Sequence, residues 1–110
     1  MADVVERIEN EVKNHKIVVF MKGTRHFPQC GFSAATVQVL EELGAPFETV
    51  DVLSDPELRE AIKVYSNWPT IPQVYIDGRF IGGCDIIREL HESGELQTMV
   101  SAAPGSAGQR

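Results

Sequence analysis

The spacing of apolar residues changes several times along the chain, and each change marks an element. Val4, Ile8 and Val12, with Val5 beside them, recur at helical spacing and predict an amphipathic helix over residues 3–14. The run Lys16-Ile17-Val18-Val19-Phe20-Met21 is apolar without interruption and predicts a buried strand. Helical spacing returns with Phe32, Thr36, Val39, Leu40 and Leu43, and Gly44 ends a helix expected at about 31–43. Phe47-Glu48-Thr49-Val50-Asp51-Val52 alternates as a second strand. Ser54-Asp55-Pro56-Glu57 has the marks of a helix start: a capping side chain, a proline in the first turn, then an acid. Leu58, Ala61, Ile62 and Tyr65 form the expected buried face of that helix, while Arg59 and Lys63, four apart, share a different one.

Trp68-Pro69-Thr70-Ile71-Pro72 cannot be helical, because its two prolines force an extended or turning path. Gln73–Ile76, the pair Asp77-Gly78 and Arg79–Ile81 then read as strand, turn, strand, a hairpin. Gly82-Gly83 ends it. Asp85 is the expected cap of a helix at about 86–92, with Ile86, Ile87 and Leu90 apolar and Gly94 as its stop. Leu96, Met99 and Val100 suggest a short last helix, and residues 103–110 a flexible tail. The first strand, helix and second strand make a βαβ unit, so those strands should be parallel with a right-handed crossover. With the hairpin added, the expected α/β fold is one mixed four-stranded sheet with helices on its faces.

Composition narrows the function. The chain has 110 residues, 43% of them hydrophobic, enough for one domain with one core, expected over residues 1–102. A net charge of −6 argues against a nucleic-acid surface, which needs clustered positive charge. No apolar run approaches the roughly 18 residues of a membrane span. The first residues carry neither a basic nor an apolar signal region. Two cysteines, Cys30 and Cys84, make no disulfide framework, so a reducing compartment is expected. His15, His26 and His91 lack the spacing of metal ligands.

The chemistry centres on Cys30-Gly31-Phe32-Ser33. Cys30 falls where the loop after the first strand becomes the N-terminus of a helix. Free N–H groups and the helix dipole favour negative charge there and push a thiol toward thiolate, a nucleophile and a soft metal ligand. In a Cys-x-x-Cys motif the second sulfur would close a disulfide; here Ser33 stands in its place and cannot take part in exchange. The plain alternative is a buried structural cysteine.

Four motifs, in this order on these elements, resemble the monothiol glutaredoxins of the Cys-Gly-Phe-Ser type. They are Lys22-Gly23-Thr24, Cys30-Gly31-Phe32-Ser33, Trp68-Pro69-Thr70-Ile71-Pro72 and Gly82-Gly83-Cys84-Asp85, and the resemblance covers about residues 3–102. The loop Thr24–Gln29 is most similar to plastid and cyanobacterial members. The resemblance implies a thioredoxin fold, a cis Ile71–Pro72 bond and glutathione binding. Lys22, Arg59 and Lys63 would supply charge for the glycine-end carboxylate. The backbone of Ile71 would pair with the tripeptide like an added strand. The helix after Cys84 would receive the γ-glutamyl carboxylate at its N-terminus, with Asp85 taking the amine. Solvated helix positions are the plain alternative for Arg59 and Lys63, an ordinary strand end for Lys22 and a simple cap for Asp85. Cys84 is read as lining the site and not as a metal ligand.

A 2Fe-2S cluster takes four thiolates, and one chain supplies only Cys30. The resemblance therefore implies a homodimer whose two Cys30 sulfurs and two glutathione sulfurs bridge a labile cluster for delivery to apo iron–sulfur proteins. A BolA-like protein is a compatible partner. The competing expectation is a glutathione-dependent oxidoreductase acting through Cys30 alone. The matching compartments are the chloroplast stroma or bacterial cytoplasm, ahead of the mitochondrial matrix.

Overall fold

In the computed structural model, which describes residues 2–102, the apolar run Ile17–Met21 is the strand β1, buried along its whole length. Around it the other elements follow in chain order: α1 (Ala2–Asn14), α2 (Gly31–Leu43), β2 (Glu48–Asp51), α3 (Pro56–Ser66), β3 (Gln73–Ile76), β4 (Arg79–Gly82), α4 (Cys84–Ser93) and α5 (Glu95–Ala102). The tail expected over 103–110 lies outside the described residues. The sheet order is β2-β1-β3-β4, with β1 parallel to β2 and antiparallel to β3, and β3 antiparallel to β4.

Successive strand side chains point to opposite faces, so β1 feeds two cores. Val18 and Phe20 pack with Val4, Ile8 and Val12 of α1 and with Leu58, Ala61 and Ile62 of α3. Ile17, Val19 and Met21 pack with Val37 and Leu40 of α2, Ile87 of α4 and Leu96 of α5. Each side chain fully removed from water contributes about 1.5–3 kcal/mol. The central strand is thus buried on both faces, and its C-terminal end carries the loop to Cys30.

Local chemistry sets the ends of elements much as expected. Asp55 caps α3, accepting the Leu58 N–H at 3.1 Å, and Arg7 of α1 donates to its other carboxylate oxygen at 2.8 Å. Asp77 and Gly78 turn with φ of 53° and 81°, the positive angles of a tight hairpin. Three expectations need correction. The cap of α4 is Gly83, not Asp85: the helix starts at Cys84 and Asp85 sits exposed in its first turn. Phe32 does not face the core but is 62% exposed, because α2 turns Ser33, Thr36, Val37 and Leu40 inward. Thr36 tolerates burial by donating its hydroxyl to the Phe32 carbonyl at 2.9 Å. Tyr65 lies at the edge of its core, 37% exposed, its ring 6.1 Å from that of Tyr75.

Candidate active site

The loop between β1 and α2 is tied at both ends before it reaches Cys30. Gln29 N–H donates to the Lys22 carbonyl at 2.9 Å, and Thr24 and Phe27 exchange backbone hydrogen bonds at 3.2 and 3.1 Å. Gly23 N–H donates to Asp51 Oδ1 at 3.0 Å. Gly23 has φ of 92°, and a Cβ there would stand 2.5 Å from Gln29 N and 2.6 Å from the Phe27 carbonyl oxygen, so no other residue fits. On the outer side Arg25 donates from Nε to Glu41 at 2.8 Å and from Nη1 to the Phe47 carbonyl at 3.3 Å, with its guanidinium 3.9 Å above the Phe47 ring.

This path delivers Cys30 to the N-cap of α2 in extended conformation, with φ of −152° and ψ of 136°. The thiol is partly exposed and free. Its sulfur makes no cap hydrogen bond of full geometry, yet the N–H of Ser33 is the largest of the influences holding the thiol below its ordinary 9.0. Burial opposes that shift; the Phe32 N–H, the Lys22 charge and the Ser33 hydroxyl assist it. Ser33 itself is fully buried, and its Oγ accepts the Lys22 N–H at 3.1 Å. One residue therefore serves both sides: its hydroxyl ties α2 to the end of β1, and its backbone N–H acts on the reactive sulfur.

A cleft of about 510 Å³ opens beside that sulfur. It brings together the thiol and the expected glutathione-binding residues: Lys22, Cys30, Arg59, Lys63, Ile71, Cys84 and Asp85 all line it. The three cations differ. Lys22 makes no ion pair among the described residues. Arg59 lines the cleft, makes no ion pair among the described residues, and has its Nε buried without a hydrogen-bond partner. Lys63 is partly engaged, 3.6 Å from Glu60 on its own helix. Cys84 is buried at the start of α4 and, like Cys30, is a free thiol. His15 and His91 lie beside Glu11 and Glu42, each at 3.4 Å, and no three His, Cys, Asp or Glu side chains converge as a metal site among the described residues.

The far wall of the cleft is the segment 68–72, and the Ile71–Pro72 bond is cis. Gly83 lets α4 approach this wall: a Cβ there would stand 3.1 Å from the Pro72 carbonyl oxygen and 3.6 Å from Trp68 Nε1. The Trp68 ring tilts against Phe80, with centroids 5.7 Å apart. Behind the wall lies Gln73, fully buried. Its Nε2 donates to the carbonyls of Trp68 at 3.1 Å and Thr70 at 3.2 Å, and its Oε1 accepts the Tyr75 hydroxyl at 3.2 Å. Sequence reasoning passed over Gln73, although a polar residue opening the apolar strand Gln73-Val74-Tyr75-Ile76 was a visible signal. It also missed Phe32, which forms part of the cleft lining and not of the core.

The sequence profile of the glutaredoxin family matches residues 17–81. A monothiol glutaredoxin of Synechocystis sp. is 59% identical over 100 residues, covering 91% of this chain and 94% of its own. The chloroplastic monothiol glutaredoxin-S7 of rice is 55% identical over 96 residues, 87% of this chain and 57% of its own. Among solved structures, the crystal structure of a buckwheat glutaredoxin–glutathione complex superposes with a TM-score of 0.84 at 26% identity, covering 96% of this chain and 94% of that one. With a single cysteine at the head of α2, a serine at the second position of the motif and a mixed sheet of this order, the chain belongs to the glutaredoxin family, among its monothiol members.

Proposed function

We propose that this protein binds glutathione and carries a 2Fe-2S cluster between two copies of itself for transfer to apo-proteins. The observation that carries the reading is a cleft with one activated thiol, a buried serine where a second sulfur would stand, and two lining cations, Lys22 and Arg59, that make no ion pair among the described residues. Glutathione satisfies each feature. Its glycine-end carboxylate answers Lys22 and the unpaired Arg59, with Lys63 contributing less because Glu60 already engages it. Its peptide groups pair with the backbone at Ile71. Its γ-glutamyl carboxylate meets the first N–H groups of α4, at Cys84 and Asp85, and the Asp85 carboxylate takes the amine. The buckwheat relative, of the same fold, forms a glutathione complex.

With glutathione in that cleft, its sulfur lies beside Cys30. A 2Fe-2S cluster takes four thiolates. Each copy offers Cys30 and one glutathione, so two copies complete the set, with the cluster as cargo. Half the ligands are free to dissociate, which suits delivery. The Synechocystis and rice chloroplast relatives support a bacterial cytoplasm or plastid stroma as the working compartment.

The depressed Cys30 thiol also favours a second reading, reduction of glutathione mixed disulfides. The Cys30 thiolate attacks the glutathione sulfur and releases the protein thiolate. A free glutathione thiolate then attacks the Cys30–glutathione disulfide, restoring Cys30 and leaving glutathione disulfide. Anaerobic reconstitution with iron and sulfide separates the two. A brown dimer that forms with glutathione, and not with a non-thiol reductant, is expected. A stable cluster-bearing dimer without added thiol would sink the shared-ligand scheme. No cluster, together with strong glutathione-coupled reductase activity, would establish the second reading.

A further inference from the structure

We propose that Gln73, which does not touch the cleft, is a positioning residue that sets glutathione affinity by holding the Trp68–Thr70 wall; this rests on the glutathione reading above. The wall has no regular secondary structure of its own between α3 and β3, and its two prolines contribute no N–H donors. Something else must fix its carbonyls. Gln73 does so with one amide group, whose two N–H bonds reach the carbonyls of Trp68 and Thr70. Those carbonyls are drawn inward, behind the wall, and the Trp68, Pro69 and Thr70 side of the segment is left to line the cleft. The amide is oriented in turn: Tyr75, buried in the sheet between Phe20 and Phe80, donates its hydroxyl to Gln73 Oε1. The arrangement runs from the buried interior of the sheet, through Tyr75 and Gln73, to the edge along which an extended tripeptide would lie.

Trp68 is the sole tryptophan of the chain, so the wall reports on itself. Three variants are compared by acrylamide quenching of Trp68 emission, by calorimetric titration with reduced glutathione, and by the pH profile of Cys30 alkylation. Gln73→Met keeps the length and removes both donors; it is expected to raise quenching and weaken glutathione binding roughly tenfold. The Cys30 pH profile is expected to stay unchanged, because nothing on α2 has moved. Gln73→Glu is expected to bind more tightly as pH falls, because a buried carboxyl facing two carbonyls regains a donor on protonation. Tyr75→Phe leaves the amide in place but unoriented and is expected to show a smaller loss, so it carries the test if Gln73→Met fails to fold. Unchanged affinity in the folded Gln73 variants, or a loss accompanied by an equal change in the Cys30 profile, would overturn the proposal. If the native protein binds no glutathione, the ligand reading fails; the positioning role then stands or falls on Trp68 quenching.

Discussion

Replacing Ser33 with alanine removes one oxygen that does two things, and the two separate with pH. The first is structural. Ser33 Oγ accepts the Lys22 N–H at 3.1 Å in a position with no exposure to water, so alanine leaves that donor without an acceptor. An unsatisfied buried donor costs about 1–3 kcal/mol, and for a domain near this size each kcal/mol moves the melting temperature by about 4–8 °C. That cost is present at every pH. The second is electrostatic. The hydroxyl is one of several groups that hold the Cys30 thiol below 9.0, while the strongest, the backbone N–H of residue 33, survives the substitution. The alkylation midpoint of Cys30 should therefore rise in Ser33→Ala but stay below 9.0. A depressed thiol contributes stability that is fully present above its unfolded value and lost as pH falls through its folded value. The stability gap between native protein and variant should be widest above 9.0 and shrink toward the structural cost alone as pH falls through the folded-state value of Cys30. Denaturant unfolding across that range, paired with iodoacetamide kinetics, measures both. A gap that widens as pH falls, or a midpoint that does not move, would refute the reasoning.

Two further outcomes follow from the same site. Cys30→Ser should abolish cluster assembly while Cys84→Ser retains most of it, since Cys30 is the partly exposed thiol at the N-cap of α2, held below its ordinary value, and Cys84 is buried; visible absorption after reconstitution of correctly folded variants decides. Lys22→Ala and Arg59→Ala should each weaken glutathione binding by roughly 1–3 kcal/mol, and Lys63→Ala by less, because Lys63 already faces Glu60; calorimetry ranking Lys63 first would reverse the assignment of the anion site.

How far the chain could be read without its structure depends on how local the deciding physics is. Apolar spacing, Asp55 before Pro56 and the Asp77-Gly78 turn act over a few residues, and the corresponding elements fell within one or two residues of their expected bounds. The same holds for Cys30, because a thiol at the head of a helix is a property of one junction. Errors arose where tertiary packing overrode the local reading. The spacing in α2 allowed either Phe32 or the Ser33–Val37 stripe to face inward, and the core beneath β1 took the stripe. Asp85 was a better cap by composition than Gly83, but α4 starts earlier, where its close approach to the Pro72 carbonyl favours a residue without a Cβ.

By itself the sequence determined the elements, their order and the reactive thiol, since those follow from neighbours along the chain. Only the tertiary structure decided which cation is unpaired, that Ser33 serves Lys22 as well as Cys30, and that Gln73 holds the wall opposite. Arg59 and Lys63 look alike in sequence, one helical turn apart, yet one buries a nitrogen without a partner and the other meets Glu60. Hydrogen-bond satisfaction depends on what lies across a cleft, and Lys22, Arg59, Ile71 and Cys84 become neighbours only when the sheet brings β1, α3 and α4 together.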